Sequence, residues 1–379
     1  MNQESHVDPR IPVLSFTLLT LAAAALLFAR VSNAADMRFL QIQKGAAKGR
    51  VSQEVELAAD YFAGTGVPQD LKMATYWYEK AAANGDPEAQ NQIGYLYQTG
   101  IGVSQDPVRA CHWYQLAAAS GHVAAKVNLG VAYLLGTGVP KDKALAVQLL
   151  HEAANKGSGV AATYLGDLYY LGIELNRDKA AGEHWFETGV KLHNPIAAYD
   201  LGSLFSTSND HLHDFPEAAK LLRRATGEGY VPAMHSLGVL LIEHPELARS
   251  PLEARHLLET AADSGYWKAS IVLGVLARDG IGSAANPAEA FYHFQVAALQ
   301  GGDQTRMLLT NDFTKLSSML TNEQTQELAS KASTWFQKRP VALAFVHSES
   351  GDRKHLPAWG RAIAEDGIPA EQLLPVPLG

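Results

Sequence analysis

The sequence repeats itself every 36 residues, and this period constrains the fold more than any other feature. A glycine that follows leucine or isoleucine returns at that step without insertion, at Gly94, Gly130, Gly166, Gly202, Gly238 and Gly274. A fixed period of this length is typical of repeat proteins, in which each unit contacts only its neighbours. Because 379 residues are too many for one ordinary compact domain, an extended array is expected.

Two further series share the period and mark the ends of the second helix in each unit. The first is predicted to end that helix and consists of Gly49, Gly85, Gly121, Gly157, His193, Gly229, Gly265 and Gly301. The second is predicted to cap its N-terminus through side-chain oxygens and consists of Asp70, Asp106, Asp142, Asp178, Asp214, Ser250 and Asn286. Each unit is therefore a first helix, a turn, a capped second helix and a terminating residue.

The turn between the two helices contains a G-x-G element, as at Gly136 and Gly138, which also raises the question of a phosphate-binding loop. Such a loop needs a strand before it and Lys-Ser or Lys-Thr after it, and the sequence offers neither. The glycines are predicted instead to supply left-handed backbone for a turn. The fourth to sixth units replace this element with YLGIELNRD, STSNDHLHD and EHPELARS, so their hairpins are expected to differ at the tips.

The second helix carries large and small residues on one face. The large register is Trp77, Trp113, Leu149, Trp185, Leu221 and Leu257, and the small register four residues later is Ala81, Ala117, Ala153, Ala225, Ala261 and Ala297. This alternation lets a neighbouring helix pack closely, and the first-helix glycine, such as Gly130, permits the closest approach. A hairpin of this size cannot bury its apolar face alone, so the units are expected to stack.

The pattern L-G-x-x-Y-x-x-G-x-G-V-x-x-D, followed by A-x-x-W-Y-x-x-A-A-x-x-G, resembles the Sel1-like repeat, a relative of the tetratricopeptide repeat. The clearest copies run from Leu57 to Gly85 and from Ile93 to Gly121, and the resemblance covers seven units from about Arg50 to Gly301. It implies an all-α fold, a right-handed α/α superhelical solenoid of antiparallel helix pairs.

The expected organisation has five segments. They are a signal peptide or membrane anchor (1–34), an N-terminal capping half-repeat (35–49), seven repeats (50–301), C-terminal capping helices (302–339) and an irregular or partly disordered tail (340–379). A capping box of Thr321 and Gln324 is predicted to open the last helix before the tail.

The N-terminal segment predicts export or membrane attachment. Ile11 to Ala29 carries no charge, and Ser32-Asn33-Ala34 follows, which is typical of a signal peptide cleaved near Ala34. The run is also long enough to span a bilayer, Arg30 interrupts the usual cleavage region, and more basic residues follow than precede it. We therefore expect a periplasmic or secreted protein. The alternative is that residues 11–29 are not cleaved and anchor the protein to the membrane.

Composition and motifs argue against several classes of function. The formal net charge of -8 is spread along the chain, which is unlike a nucleic-acid-binding protein. The single cysteine, Cys111, rules out an intrachain disulfide framework, and no base accompanies it in sequence, so a half-buried packing thiol is expected. His211 and His213 lack a metal-binding partner motif. We therefore expect no enzyme activity, no catalytic set, no metal and no cofactor.

One enzymatic alternative comes from the resemblance itself. Cysteine-rich Sel1-like proteins of the β-lactamase-like type act as hydrolases, and a disulfide closes each of their units. This chain lacks those cysteines, so the resemblance does not extend to that activity.

The resemblance places a partner-binding surface on the concave face, formed by the first helices. Positions three before, one after and four after the helix glycine supply eighteen candidates, namely Asn91, Tyr95, Gln98, Val127, Val131, Leu134, Thr163, Asp167, Tyr170, Tyr199, Ser203, Ser206, His235, Val239, Ile242, Ile271, Val275 and Arg278. The leading ones are the polar and aromatic residues Asn91, Tyr95, Gln98, Thr163, Asp167, Tyr170, Tyr199 and His235. Tyrosines and amides at such positions suit an extended peptide, because aromatic anchors supply buried area and amides fix register. The alternative is that several of them pack between units.

These observations predict a non-enzymatic scaffold or adaptor of the cell envelope that binds a partner protein or peptide. A carbohydrate-binding function, as an accessory factor for exopolysaccharide or peptidoglycan, is the first alternative, because aromatic rings in a groove also stack on sugars. A purely structural spacer without a partner is the second.

Overall fold

The computed structural model describes residues 37–172, 176–207, 214–250 and 252–338. Within these ranges the chain forms helices and turns and no strand, so the all-α repeat fold is confirmed. The handedness and superhelical course stay predictions. The candidate export segment at residues 11–29, the pair His211 and His213, and the tail from residue 340 lie outside the described residues. No helix in the described part of the chain is both long and apolar enough to cross a membrane.

The helices follow the predicted hairpin order. Helix α1 spans residues 37–47. The others are α2 (Val51–Ala63), α3 (Leu71–Ala83), α4 (Pro87–Thr99), α5 (Pro107–Ala119), α6 (Val123–Leu135), α7 (Lys143–Asn155), α8 (Gly159–Leu171), α9 (Lys179–Lys191), α10 (Pro195–Thr207), α11 (Phe215–Gly227), α12 (Val231–Glu243), α13 (Glu253–Asp263), α14 (Trp267–Asp279), α15 (Pro287–Leu308), α16 (Thr310–Ser317) and α17 (Asn322–Gln337). A 3-10 helix, Pro245–Leu247, lies between α12 and α13.

The chain divides into two compact units. The first contains the described residues up to Ala125 together with Thr137–Val139, and its α1 packs Ile42 and Ala46 against Leu57 of α2. The second contains Lys126–Gly136 and the described residues from Pro140 onward. The five-segment division expected from the sequence stays a prediction.

Side-chain caps begin most of the second helices. The side-chain oxygens of six residues accept backbone N–H groups in the first turn, namely Asp70, Asp106, Asp142, Asp178, Asp214 and Asn286. The prediction for Ser250 is wrong, because α13 begins at Glu253 and has no side-chain cap. There the Glu253 carboxylate turns back to accept the backbone N–H of Arg249 and pairs with Arg223 at 3.1 Å. At the C-terminal end, the predicted capping box of Thr321 and Gln324 is present.

The terminating residues adopt positive φ, as glycine in a left-handed turn does. His193 does so at φ 60°, the single residue other than glycine with positive φ among those described. The prediction is wrong by one position at Gly301, because α15 continues through it and breaks at Gly302 (φ 70°, ψ -159°). Two consecutive glycines stand there, and the second supplies the backbone conformation that a β-carbon disfavours.

The G-x-G element turns the chain, as predicted. Gly136 and Gly138 have φ of 70° and 77°, and a β-carbon at Gly138 would lie 2.1 Å from the carbonyl oxygen of Pro107. Glycine is therefore needed for both backbone conformation and space. The sixth repeat differs at its tip, as expected, because α12 ends at Glu243, the next residue His244 has φ -126° in place of a left-handed glycine, and the 3-10 helix follows.

The deepest large residues of the second helices lie one position beyond the predicted register. Trp77, Trp113 and Trp185 are only half-buried. The side chains that pack on the first-helix glycines are instead Tyr114, Leu150, Phe186, Leu222, Leu258 and Phe294, which also recur every 36 residues. The alanine register is fully buried as predicted, from Ala81 to Ala297.

The first-helix glycines differ in how tightly they are packed. A β-carbon would lie 2.6 Å from the Tyr114 ring at Gly94, 2.5 Å from the Phe186 ring at Gly166 and 2.4 Å from the Phe294 ring at Gly274. At Gly130, Gly202 and Gly238 the neighbour is a leucine, at 3.2, 3.1 and 2.8 Å respectively. A leucine side chain can shift more easily than a ring held in the core, so the glycine requirement is strongest opposite the aromatic residues.

We expect Gly274→Ala to lower the free energy of unfolding by about 1–3 kcal/mol, because the added methyl group overlaps the Phe294 ring. Gly130→Ala should be close to neutral, since Leu150 can move and alanine favours a helix by about 1 kcal/mol over glycine. Urea denaturation followed by circular dichroism measures both. Equal losses in the two variants would show that the aromatic contact does not set the packing limit.

Candidate functional site

Three consecutive first helices, α8, α10 and α12, line a cleft in the second unit. Its volume is about 500 Å³, within the range of ligand-binding clefts. The lining residues are Asp167, Tyr170, Leu171, Phe186, Tyr199, Asp200, Ser203, Leu204, Ser206, Thr207, His235, Ser236, Val239, Leu240 and Glu243. All but Phe186 of α9 come from the first helices, so the repeat itself assembles the site.

The repeat period explains why these side chains meet. Asp167, Ser203 and Val239 each follow the helix glycine of their unit, so adjacent packed helices present them side by side. Tyr199 and His235 occupy the position three before the glycine in successive units. Seven of the eighteen sequence-predicted positions line the cleft, namely Asp167, Tyr170, Tyr199, Ser203, Ser206, His235 and Val239.

Other predicted residues lie elsewhere. Asn91, Tyr95 and Gln98 belong to α4 of the first unit, where Asn91 is only 2% exposed. Thr163 is buried in the second unit, and its hydroxyl lies 3.0 Å from the carbonyl oxygen of Gly159 and 3.2 Å from Oδ1 of Asn194. Burial contradicts a surface role for Asn91 and Thr163, because neither side chain is free to touch a partner. Both are packing residues.

Two buried carboxyl groups lie at the cleft. Asp167 on α8 is 6% exposed and Asp200 on α10 is 9% exposed. Burial raises the pKa of Asp167 well above its usual value, and the charge of Asp200 raises it further. A carboxyl group in this environment retains its proton at a pH where a solvated aspartate has lost it. The cleft therefore contains a group that can donate a hydrogen bond when protonated and attract a cation when ionised.

Tyr199 and His235 supply neutral polar groups to the same cleft. Burial raises the pKa of the Tyr199 phenol and Asp200 adds to the effect, while hydrogen bonds with Ser236 and Ser203 oppose it. Burial and the nearby charge of Lys268 lower the pKa of His235 to about 4. The imidazole is therefore neutral at physiological pH, with one ring nitrogen as donor and the other as acceptor.

The remaining wall is apolar and tightly packed. Tyr170 is 7% exposed and Phe186 is 2% exposed, and their ring centroids lie 6.2 Å apart. A β-carbon at Gly182 would lie 2.6 Å from Cβ of Tyr170, so α9 presses directly against this ring. Tyr170 therefore shapes the cleft as a fixed wall.

The rest of the described chain offers little for metal or thiol chemistry. No group of three or more His, Cys, Asp or Glu residues in the described ranges is arranged to hold a metal ion. Cys111 is 3% exposed, more buried than expected, and its thiol donates to the carbonyl oxygen of Thr137 at 3.1 Å. Burial raises the pKa of this thiol to about 11, which leaves almost no thiolate at neutral pH.

Sequence reasoning missed Asp200 and Ser236, and a signal for both was present. They occupy the position two before the helix glycine, where the first two such units have Gln92 and Asn128. Polar residues recur at this position although Gln92, Asn128 and Asp200 are buried. Recurrent polar residues at a core position indicate specific hydrogen bonding or a site. Phe186 was also missed, because its register was assigned one position too early.

The raised pKa of Asp167 makes stability depend on pH. The folded protein holds this proton more tightly than the unfolded chain, so stability falls as pH rises above the unfolded pKa and levels off above the folded pKa. We expect Asp167→Asn to melt at a higher temperature than wild type at pH 8, with a smaller difference at pH 4.5. A melting-temperature difference that does not change with pH would contradict the raised pKa.

Comparison with known protein families identifies the same series of repeats. The family model described as Sel1 repeat matches residues 54–86, 87–122, 123–158, 159–194, 195–230, 231–266 and 267–302. No curated protein is similar enough to count as a match.

Several solved structures are similar. A Sel1 repeat protein from Oxalobacter formigenes is 29% identical, with a TM-score of 0.52, over 56% of this chain and 87% of that one. A protective antigen of uropathogenic Escherichia coli strains, displaying an SLR fold, is 22% identical, with a TM-score of 0.42, over 84% of this chain and 74% of that one. An immunity protein from Pseudomonas aeruginosa is 22% identical, with a TM-score of 0.41, over 58% of this chain and 82% of that one. With its consecutive family matches from residue 54 to residue 302, the chain belongs to the Sel1 repeat family.

Proposed function

We propose that this chain is a non-enzymatic protein-interaction scaffold and that the cleft between α8, α10 and α12 binds an extended segment of a partner protein. Sel1 repeat proteins typically mediate protein–protein interaction and are generally non-catalytic. The observation that carries the proposal is the cleft itself, where the repeats bring seven first-helix candidates together around a volume of about 500 Å³.

The chemistry of the lining suits a peptide segment. Ser203, Ser206, Thr207 and Ser236 bring hydroxyl groups, which can bond the N–H and C=O groups of an extended backbone. Apolar residues such as Val239 supply area for a partner side chain. A small number of fixed polar groups on an apolar surface is the usual composition of a site that sets orientation and register.

The aromatic residues favour this function over carbohydrate binding. A ring that stacks on a sugar must present an open face, but Tyr170 and Phe186 are buried against each other. The ring of Tyr199 meets that of Tyr230 edge to face, with 5.2 Å between centroids. Tyr170 and Phe186 therefore form a buried wall, the half-buried Tyr199 ring is engaged by Tyr230, and the polar groups carry the recognition.

The scaffold is proposed to work in the cell envelope. This part rests on the sequence of Ile11 to Ala29 and Ser32-Asn33-Ala34, which is typical of an export signal. Mass spectrometry of the native protein from separated cell fractions tests it. A mature chain beginning at Ala35 in the soluble envelope fraction supports export with cleavage, whereas an intact N-terminus in the cytosolic fraction would refute an envelope location.

A photo-crosslinking amino acid at Ser206 or Val239 should trap the partner in cells, because both positions line the cleft. The same amino acid at Lys220, whose side chain is 74% exposed on α11, is the matched control. Mass spectrometry then identifies the protein trapped only from the cleft. That purified protein is the ligand for the binding measurement that follows.

We expect Val239→Trp to weaken binding of the trapped protein at least tenfold, because the indole fills the cleft. Lys220→Trp adds the same ring outside the cleft and should leave affinity unchanged. Circular dichroism melting checks that both variants fold. Unchanged affinity in a folded Val239→Trp variant would refute the cleft as the binding site.

A further inference from the structure

We propose that the cleft recognises a lysine or arginine side chain of the partner segment and that Asp167 and Asp200 together form its receptor. This inference rests on the scaffold function proposed above and specifies the chemistry of the bound segment. It requires that the cleft favour a cation over a neutral side chain of the same shape.

The first observation is the state of Asp167. Its side chain is more than nine-tenths buried and lines the cleft, and it makes no hydrogen bond or ion pair with any residue that the structure describes. A buried carboxyl group without a partner is costly, and proteins keep such groups paired. A cationic side chain entering the cleft would supply the missing partner.

The second observation is the charge of the lining. It includes the carboxyl groups of Asp167, Asp200 and Glu243, and the lining residues that the structure describes include neither lysine nor arginine. Asp167 and Asp200 are buried, whereas Glu243 is exposed at the end of α12, so an arriving cation passes a carboxyl group in solvent before it reaches the two buried ones. Once a buried carboxyl group is ionised, its attraction for a cation is screened less than attraction at the surface.

The basic residues of the neighbourhood are engaged on other groups. Arg177 Nε donates to the carbonyl oxygen of Tyr170 at 2.9 Å, and Lys179 Nζ lies 5.6 Å from the centroid of the Tyr170 ring. Lys268 Nζ lies 5.9 Å from the centroid of the Tyr266 ring, and its charge lowers the pKa of His235. None of these cations pairs with Asp167, so the receptor position is open to a ligand.

The titratable groups around Asp167 predict how binding depends on pH. Tyr164 and Tyr170 lie on α8, Tyr199 and Asp200 on α10, and His235 and Glu243 on α12, while α9 contributes Phe186. Burial raises the pKa of Tyr164 and Tyr199 and lowers that of His235, so these three groups are neutral near pH 7, and Asp167 is the group expected to respond to pH. A bound cation favours ionised Asp167, so binding should release a proton and become tighter as pH rises.

The test uses Nα-acetyl-arginine methylamide and its citrulline analogue, which has nearly the same shape but no charge. Saturation-transfer difference NMR on the full-length protein measures binding of each at pH 5 and pH 8. We expect the arginine probe to bind at least tenfold more tightly than the citrulline probe at pH 8, and more weakly at pH 5. Equal affinity for the two probes would overturn the inference, and binding of chitotriose in place of the arginine probe would assign the cleft to a glycan.

Three variants separate the receptor from general electrostatics. Asp167→Asn and Asp200→Asn should each weaken the arginine probe at least tenfold, and Asp167→Asn should also remove the pH dependence. Glu187→Gln, an exposed position on α9, removes the same charge outside the cleft and should change affinity less than twofold. An equal loss in Glu187→Gln would show that net charge, and not the receptor, attracts the probe.

The same experiments distinguish this inference from the scaffold function. In one outcome the arginine probe does not bind, but a partner is trapped at Ser206 and its binding is lost in Val239→Trp. That result would refute the cation receptor and leave the scaffold function in place. If the arginine probe does not bind and no partner depends on the cleft, both proposals are refuted.

Discussion

The contact between a first-helix glycine and a large second-helix side chain is the constraint on which the hairpins depend. At Gly166 the Phe186 ring occupies the space that a β-carbon would need, and Gly94 and Gly274 stand in the same relation to Tyr114 and Phe294. Helices that approach this closely exclude water and hold their side chains in fixed positions. Phe186 is also a wall of the cleft, so this packing contact positions the candidate site directly.

Much of the fold could be predicted because the period makes weak local signals reinforce one another. One aspartate before a helix is a modest capping signal, but the same residue at Asp70, Asp106 and Asp142 marks a boundary. The wrong predictions occur where two nearby residues, or two adjacent registers, could each play the predicted structural role. Gly301 is followed by a second glycine, Ser250 competes with Glu253, and the tryptophan register stands beside another register of large residues.

The candidate site was only partly accessible to the same reasoning. The period shows which first-helix positions lie in one row, and it brought Asp167, Tyr199 and His235 to the same region. The period does not show how deeply each side chain is buried, because burial depends on the side chains of the adjacent helices. Asn91 is therefore buried at a position where Tyr199 reaches a cleft. The charge of Asp200 raises the pKa of Asp167 because the two side chains are close in three dimensions, and the sequence does not show that proximity.

The separation of framework and cleft positions along each first helix has a consequence for how such proteins diversify. Gly166 and Gly202 allow the second helices to pack closely, whereas Asp167 and Ser203, the residues directly after them, line the cleft. Substitutions at the successor positions can alter what a cleft accepts while the neighbouring glycine contacts stay in place. Asp167 and Asp200 are exceptions, because both side chains are buried. At these two positions selection for a new ligand and selection for a stable fold act on the same side chain, and we expect both positions to change most slowly.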